Sequence, residues 1–136
     1  MTDKELAIKL KIDKAKVLMN EVEILIENNF YNTAVSRLYY SCFHATRALL
    51  LTKELTPKTH SGVISMLHKH FVSEGNFDEK HAAFFSRLMK ERIEDDYNDF
   101  IIKDLEEIAA YILSFINLEK KAACFSSKFP SETKCL

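Results

Sequence analysis

Apolar residues recur every three or four positions along most of this chain, which is the spacing of α-helices. In the first segment one helical face is predicted to carry Ala15, Leu18, Val22, Leu25 and Ile26. The pair Asn28-Asn29 interrupts this pattern, and a second helix is predicted over about Tyr31–Lys53. A loop containing Pro57 follows, and a short third helix is predicted from about His60 to Ser73, ending before Gly75.

The second half of the chain predicts two further helices. Asp78 is suited to cap a fourth helix over about Glu79–Tyr97, and Asn98-Asp99 ends it. The stripe of a fifth helix consists of Ile101, Leu105, Ile108, Ile112 and Ile116. Residues 1–56 and 76–129 contain neither glycine nor proline, which favours helices over strands. We therefore predict an all-α, up-down bundle of about five helices, with one domain over residues 1–125 and a polar, frayed tail over 126–136.

Charge and cysteine content narrow the class of protein. The 136 residues carry 19 basic and 20 acidic side chains, a net charge of −1, which argues against a strongly basic nucleic-acid binder but leaves room for a local basic patch. Three scattered cysteines, no signal-peptide pattern and no long apolar run indicate a cytoplasmic protein without a membrane span. His68 and His70 are two positions apart and do not form a metal pair, so we predict neither a metal nor a cofactor.

The second helix carries an unusual polar face. An arc of about 120° contains Arg37, Tyr40, Ser41, His44 and Arg47. The opposite, apolar side contains Val35, Leu38, Cys42, Ala45 and Leu49. Because guanidinium groups bind phosphate in a bidentate way, Arg37, Tyr40 and Arg47 are candidate ligands for a nucleotide or nucleic acid. The alternative is a solvated face, or arginines paired with acids on a neighbouring helix.

The fourth helix places charge within an apolar stripe. Arg92 and Asp96 continue the core-facing line of Phe85, Leu88 and Met89. A buried charge is costly unless it is paired, so the two residues form either a structural ion pair or the floor of a cleft. Tyr97 follows directly and could add a hydroxyl to the same place.

Three ordered segments resemble the HEPN family, the small helical proteins often paired with minimal nucleotidyltransferases. The run from Ala34 to Ala45 resembles its A-x-x-R-x-Y-Y-x-x-F-H-A motif, Lys58-Thr59-His60-Ser61-Gly62-Val63 resembles the loop that follows, and Arg92 to Tyr97 resembles R-x-x-x-D-Y. The resemblance covers about residues 10–118. It implies a helical bundle that often forms a homodimer, a minimal nucleotidyltransferase as partner, and a role in toxin–antitoxin-like or defence systems.

Many members of that family are metal-independent ribonucleases that carry R-x(4–6)-H on the helix matched here by the fourth helix. This chain departs from the pattern, because Arg92 matches the arginine but Tyr97 stands where the histidine is expected. An unperturbed tyrosine, with a pKa of about 10, is a poor base near neutral pH. His44 could replace the missing base if it faces the same cleft as Arg92, with Asp96 beside them.

Three functions follow from these residues. The first is an interaction module that binds a nucleotidyltransferase and nucleotide or nucleic acid. The second is a metal-independent ribonuclease toxin that uses Arg92 and a non-standard base. The third is a helical scaffold in which the same charges are structural.

Overall fold

The computed structural model describes the backbone of residues 1–94 and the side chains of residues 1–90. Its four α-helices are α1 (Asp3–Glu27), α2 (Tyr31–Leu51), α3 (His60–Leu67) and α4 (Glu79–Glu94). A π-helical turn, His68–Val72, continues α3. The all-α class is therefore confirmed, and the part of the chain described contains no strand. The predicted fifth helix and the polar tail lie outside it.

Local capping explains where α1 begins and ends. The Thr2 hydroxyl accepts a hydrogen bond of 3.1 Å from the backbone N–H of Glu5, and a threonine three residues before a glutamate is a common helix start. At the other end, Asn28 is the C-cap and Asn29 adopts a positive φ of 63°, a conformation that asparagine tolerates better than most residues. The predicted break at this pair is confirmed.

The remaining boundaries are also local. Thr59 caps α3 by accepting a 2.9 Å hydrogen bond from the N–H of Gly62. Gly75 has a φ of +78°, which fits the predicted glycine after the third helix. Asp78 caps α4, since its Oδ1 accepts a 2.8 Å hydrogen bond from the N–H of Lys80.

The core forms around α2, which is buried along most of its length. α1 packs antiparallel against it, and α3 and α4 pack against its other sides. The largest fully buried side chains include Tyr39, Phe71 and Phe85, which join α2, the π-helical turn and α4. The predicted apolar side of α2, including Cys42, is confirmed as core.

The predicted core face of α1 needs a correction. Its buried residues are Ile8, Ala15, Met19 and Val22. Leu18 and Leu25, predicted on this face, lie only at its edge and are half-buried. The face is centred a little further round the helix because, among the described residues, α2 packs along most of the length of α1 and buries the side turned towards it.

Candidate anion-binding site

The C-terminal half of α2 and the loop after it form two adjoining hollows, and Arg47 lines both. The larger hollow has a volume of about 530 Å³ and is lined by Phe43, Arg47, Thr56, Pro57, Lys58 and His60. The smaller, of about 40 Å³, adds Lys11 of α1 and the apolar side chains of Leu51 and Leu55. Within the described side chains, no carboxylate lines either hollow.

Several basic groups converge here, and we call them the cation cluster: Lys11, Lys14, His44, Arg47, Lys58 and His60. They come from α1, α2 and the start of α3, so the tertiary fold brings them together. Like charges held close together repel, and the repulsion is visible in the ionisation of two members. Burial, and then the charge of Arg47, lower the pKa of Lys11 below its usual value.

His44 responds most strongly to this environment. Its pKa falls from the ordinary 6.5 to about 4, first because burial penalises the charged imidazolium and then through repulsion by Lys14, Arg47, Lys11 and His60. His44 is consequently neutral near pH 7. A bound anion would offset the repulsion, so the cluster is arranged to gain from the arrival of phosphate or another negative group.

His60 is the member held most rigidly. Its Nδ1 and the hydroxyl of the fully buried Tyr39 share a hydrogen bond of 2.6 Å. Its ring stacks on Phe43 with centroids 4.3 Å apart, and Phe43 in turn lies 5.6 Å from the guanidinium carbon of Arg47. Spacing along the chain offers no link between His60 and the polar face of α2, because it is the loop after α2 that folds His60 back onto this helix.

The predicted polar face of α2 divides into three environments. Arg37 lies beside α1, with its Nε 3.3 Å from Oε2 of Glu21, an ion pair whose geometry is not that of an aligned hydrogen bond. Tyr40 is half-buried and meets Tyr39 edge-on, with centroids 5.2 Å apart. Ser41, predicted on the polar arc, is fully buried instead, because its hydroxyl donates a 2.7 Å hydrogen bond to the Ala15 carbonyl of α1.

Arg37 and Arg47 thus occupy different surroundings on one helix. Arg37 is paired with an acid on a neighbouring helix, Glu21, as in the alternative interpretation of this polar face. Arg47 forms no ion pair with any carboxylate in the described residues and borders open hollows. Of the three candidate ligand residues on α2, Arg47 is the one placed to meet an incoming anion.

The residues predicted on the fourth helix, Arg92 and Tyr97 as catalytic and Asp96 as ligand-binding, fall largely outside the described part. Arg92 lies within the backbone of α4, but its side chain is beyond the described side chains, and Asp96 and Tyr97 are beyond the described backbone. A shared cleft between Arg92 and His44 stays a prediction. Lys11, Lys14 and Lys58, by contrast, were missed by sequence reasoning, and only Lys58, in the loop before the third helix, carried any signal.

The fold and these contacts define a class: a small helical protein with a basic, partly apolar recess beside its central helix. Comparison with known proteins gives the family. The model of the HEPN domain matches residues 8–122, so this chain belongs to the HEPN family, as its motifs indicated.

Curated relatives extend over most of the chain. Two from Methanocaldococcus jannaschii carry names that mark them as candidate toxins. One is 40% identical over 114 residues, covering 81% of this chain and 77% of the relative. The other is 39% identical over 119 residues, covering 85% and 87%. A UPF0332 protein of Thermotoga maritima is 30% identical over 112 residues, covering 82% and 85%. In the described part of this chain no helix has both the length and the apolar character to cross a membrane.

Proposed function

We propose that this protein is the HEPN component of a toxin–antitoxin-like system, acting as an interaction module that binds nucleotide or nucleic-acid phosphate through the cation cluster. The family and the names of the two Methanocaldococcus relatives support the toxin–antitoxin-like role. The observation that carries the binding function is the environment of Arg47, which stands among like charges and lines two open hollows.

The two hollows beside Arg47 suit a phosphate group that is part of a larger ligand. Arg47 and Lys58 supply positive charge at the wall, and guanidinium offers two parallel donors to phosphate oxygens. Thr56 and Pro57 leave the larger hollow wide enough, at about 530 Å³, for a mononucleotide or one residue of a strand. Since the protein as a whole is nearly neutral, binding would depend on this local patch.

Fluorescence anisotropy of a labelled single-stranded RNA measures this binding. Variants of two arginines on the same helix are compared. Arg47→Ala should weaken binding by about tenfold and reduce the slope of log K against log salt concentration by about 0.7, the effect of losing one phosphate contact on a single strand. Arg37→Ala is the matched control, because Glu21 already offsets its charge. Equal losses in the two variants, or none in either, would refute the role of the cluster.

The partner belongs to the same proposal. We expect a homodimer that pairs with a minimal nucleotidyltransferase, and co-expression with such an enzyme encoded beside this gene should yield a complex that survives affinity purification and gel filtration. If the two proteins elute separately at micromolar concentration, the partnership fails while the anion site remains testable by RNA binding.

The neutral state of His44 fits the alternative function, that of a ribonuclease. His44 is neutral near pH 7, which is the form that can accept a proton, although a pKa of about 4 lies below the range best suited to a general base. A bound phosphate would raise that pKa. RNA cleavage that persists in EDTA and is lost in both Arg92→Ala and His44→Ala would indicate a ribonuclease rather than a binding module. RNA binding without cleavage would support the binding module.

A further inference from the structure

Among the described side chains, Lys11 is the lysine that lines the smaller of the two hollows. It is partly buried there, and Arg47 lines the same hollow. Lys11 forms no ion pair with any carboxylate in the described residues. Lys9, two positions earlier on the same helix, pairs instead with Asp13 at 2.7 Å. The amine of Lys11 is therefore directed to a recess in which its charge is not compensated.

These surroundings favour the neutral form of the Lys11 amine. Burial, and then the charge of Arg47, lower its pKa below the usual value. Only a neutral amine has the lone pair that attacks a carbonyl carbon. A lysine that is desolvated beside another cation is consequently a better nucleophile near neutral pH than an exposed lysine.

The two hollows together match a small acyl phosphate. Arg47, Thr56 and Pro57 line both hollows, so one ligand can occupy the two at once. In the larger hollow, of about 530 Å³, Arg47 and Lys58 are donors for a phosphate group. The smaller hollow has a volume of about 40 Å³, which holds about three water-sized groups at roughly 10–15 Å³ each. An acetyl group is of that size.

We propose that Lys11 is a site of N-acylation by short-chain acyl phosphates, whose phosphate binds Arg47 and Lys58 while the acyl group enters the smaller hollow. The inference rests on the anion site of the proposed function and adds a covalent modification to it. It names a class of small-molecule reagent that the recess selects by its phosphate and by the size of its acyl group.

The reaction is an acyl transfer. The lone pair of the Lys11 nitrogen forms a bond to the carbonyl carbon, and the bond from that carbon to the phosphate oxygen breaks, with its electron pair staying on the oxygen. The proton that the nitrogen loses passes to the departing phosphate, so the products are an amide and inorganic phosphate. The guanidinium of Arg47 stabilises the negative charge that grows on the phosphate as it leaves.

Acylation changes the anion site. The Lys11 ammonium becomes a neutral amide, so the cation cluster loses one charge and its affinity for RNA should fall. Burial, Lys14, Arg47 and then Lys11 lower the pKa of His44, and that pKa should therefore rise in the modified protein. A modification at Lys11 would thus weaken phosphate binding at the neighbouring hollow.

Mass spectrometry of the full chain after incubation with acetyl phosphate at about pH 8 tests the proposal. Because bound phosphate holds the acyl group beside the amine, Lys11 should be acetylated at least about tenfold faster than two reference lysines. Lys14 belongs to the cation cluster but lines neither hollow, and Lys80 is exposed and outside the cluster. Equal rates at the three lysines would overturn the proposal.

Reductive methylation with formaldehyde separates phosphate docking from the reactivity of the amine. Formaldehyde carries no phosphate, so the preference for Lys11 should be smaller than with acetyl phosphate. The preference shown by acetyl phosphate should disappear in Arg47→Ala and fall when inorganic phosphate competes. Arg37→Ala is the matched control and should keep the preference, since Arg37 is paired with Glu21 and lines neither hollow. An equal preference with the two reagents would show a reactive lysine without phosphate docking, against the proposal.

The size of the acyl group gives a second comparison. Benzoyl phosphate carries the same phosphate, but its ring is too large for a hollow of about 40 Å³. It should modify Lys11 no faster than Lys14. Equal selectivity of the two acyl phosphates for Lys11 would refute the assignment of the smaller hollow to the acyl group.

The RNA-binding assay distinguishes a failure of this inference from a failure of the proposed function. If Arg47→Ala weakens RNA binding but Lys11 is not acetylated selectively, the modification alone is refuted. If Lys11 is acetylated selectively and only when Arg47 is present, while RNA does not bind, the modification stands and the proposed function fails.

Discussion

Lowering the pH from about 6.5 to 4 should destabilise this protein through His44, and replacing that one side chain should isolate the effect. In the folded protein burial and the neighbouring cations hold the pKa of His44 at about 4, whereas the unfolded chain has the ordinary value of 6.5. Between these values the unfolded state binds the proton and the folded state does not. The free energy of unfolding must therefore fall as the pH falls through this window.

The magnitude follows from the displacement of the pKa. At about 1.36 kcal/mol per pKa unit, a change from 6.5 to about 4 corresponds to about 3.4 kcal/mol. His44 is only half-buried, so solvent screens the repulsion from Lys14 and Arg47. We therefore expect the free energy of unfolding to fall by about 1–2 kcal/mol, a loss that is complete near pH 4 and absent above about pH 7.

Urea denaturation followed by circular dichroism, at several pH values from 4 to 7.5, measures this loss. Acid also protonates carboxylates, so the informative quantity is the difference between the wild type and His44→Gln. The wild type should lose about 1–2 kcal/mol more than His44→Gln on going from pH 7 to 4. His70→Gln, which removes a histidine from the π-helical turn outside the cation cluster, should behave like the wild type. Parallel curves for the wild type and His44→Gln would refute the assignment of a depressed pKa.

Three further predictions concern single side chains. Ser41→Ala removes the buried hydrogen bond to the α1 backbone and should cost about 1 kcal/mol in urea denaturation. Gly75→Ala should cost about 1–2 kcal/mol in the same assay, because φ is +78° although a methyl group there would meet nothing within 4 Å. Lys14→Glu should raise the pKa of His44, read from its imidazole resonances by NMR, whereas Lys16→Glu should change it much less because Lys14 and not Lys16 acts on His44.

The helices and their ends were predictable because their causes are local. Asn28-Asn29 stops α1, Gly75 follows the π-helical turn and Asp78 caps α4, and each acts through its own backbone or its nearest neighbours. The apolar side of α2 was predictable for a similar reason, since a helix surrounded by partners must be apolar over most of its circumference.

The polar face of α2 was predictable as a set of residues but not as a site. Arg37 and Arg47 look alike in sequence, since both lie on the same polar arc, about 80° apart, with no acid nearby in the chain. Their surroundings differ first in what α1 places opposite each of them, Glu21 in one case and Lys11 in the other. His60 was missed for the same reason, because its partner Tyr39 is 21 residues away.

The register of the α1–α2 hairpin accounts for that difference. The buried faces of the two helices set this register and the hydrogen bond from Ser41 to Ala15 marks it. In an antiparallel pair each step forward on one helix is a step backward on the other. Four residues before Ser41, Arg37 must then face the acidic end of α1 at Glu21.

The same register determines the cation cluster. Three and six residues after Ser41, His44 and Arg47 must face the basic end of α1, which carries Lys14 and Lys11. A shift of one helical turn would move Glu21 away from Arg37 and bring it closer to His44, and the repulsion that depresses the pKa of His44 would be lost. The uneven charge of α1, with all its lysines before residue 17 and only acidic charges after it, therefore divides one polar face of α2 into two parts. One part is the paired Arg37, and the other is the cation cluster around His44 and Arg47.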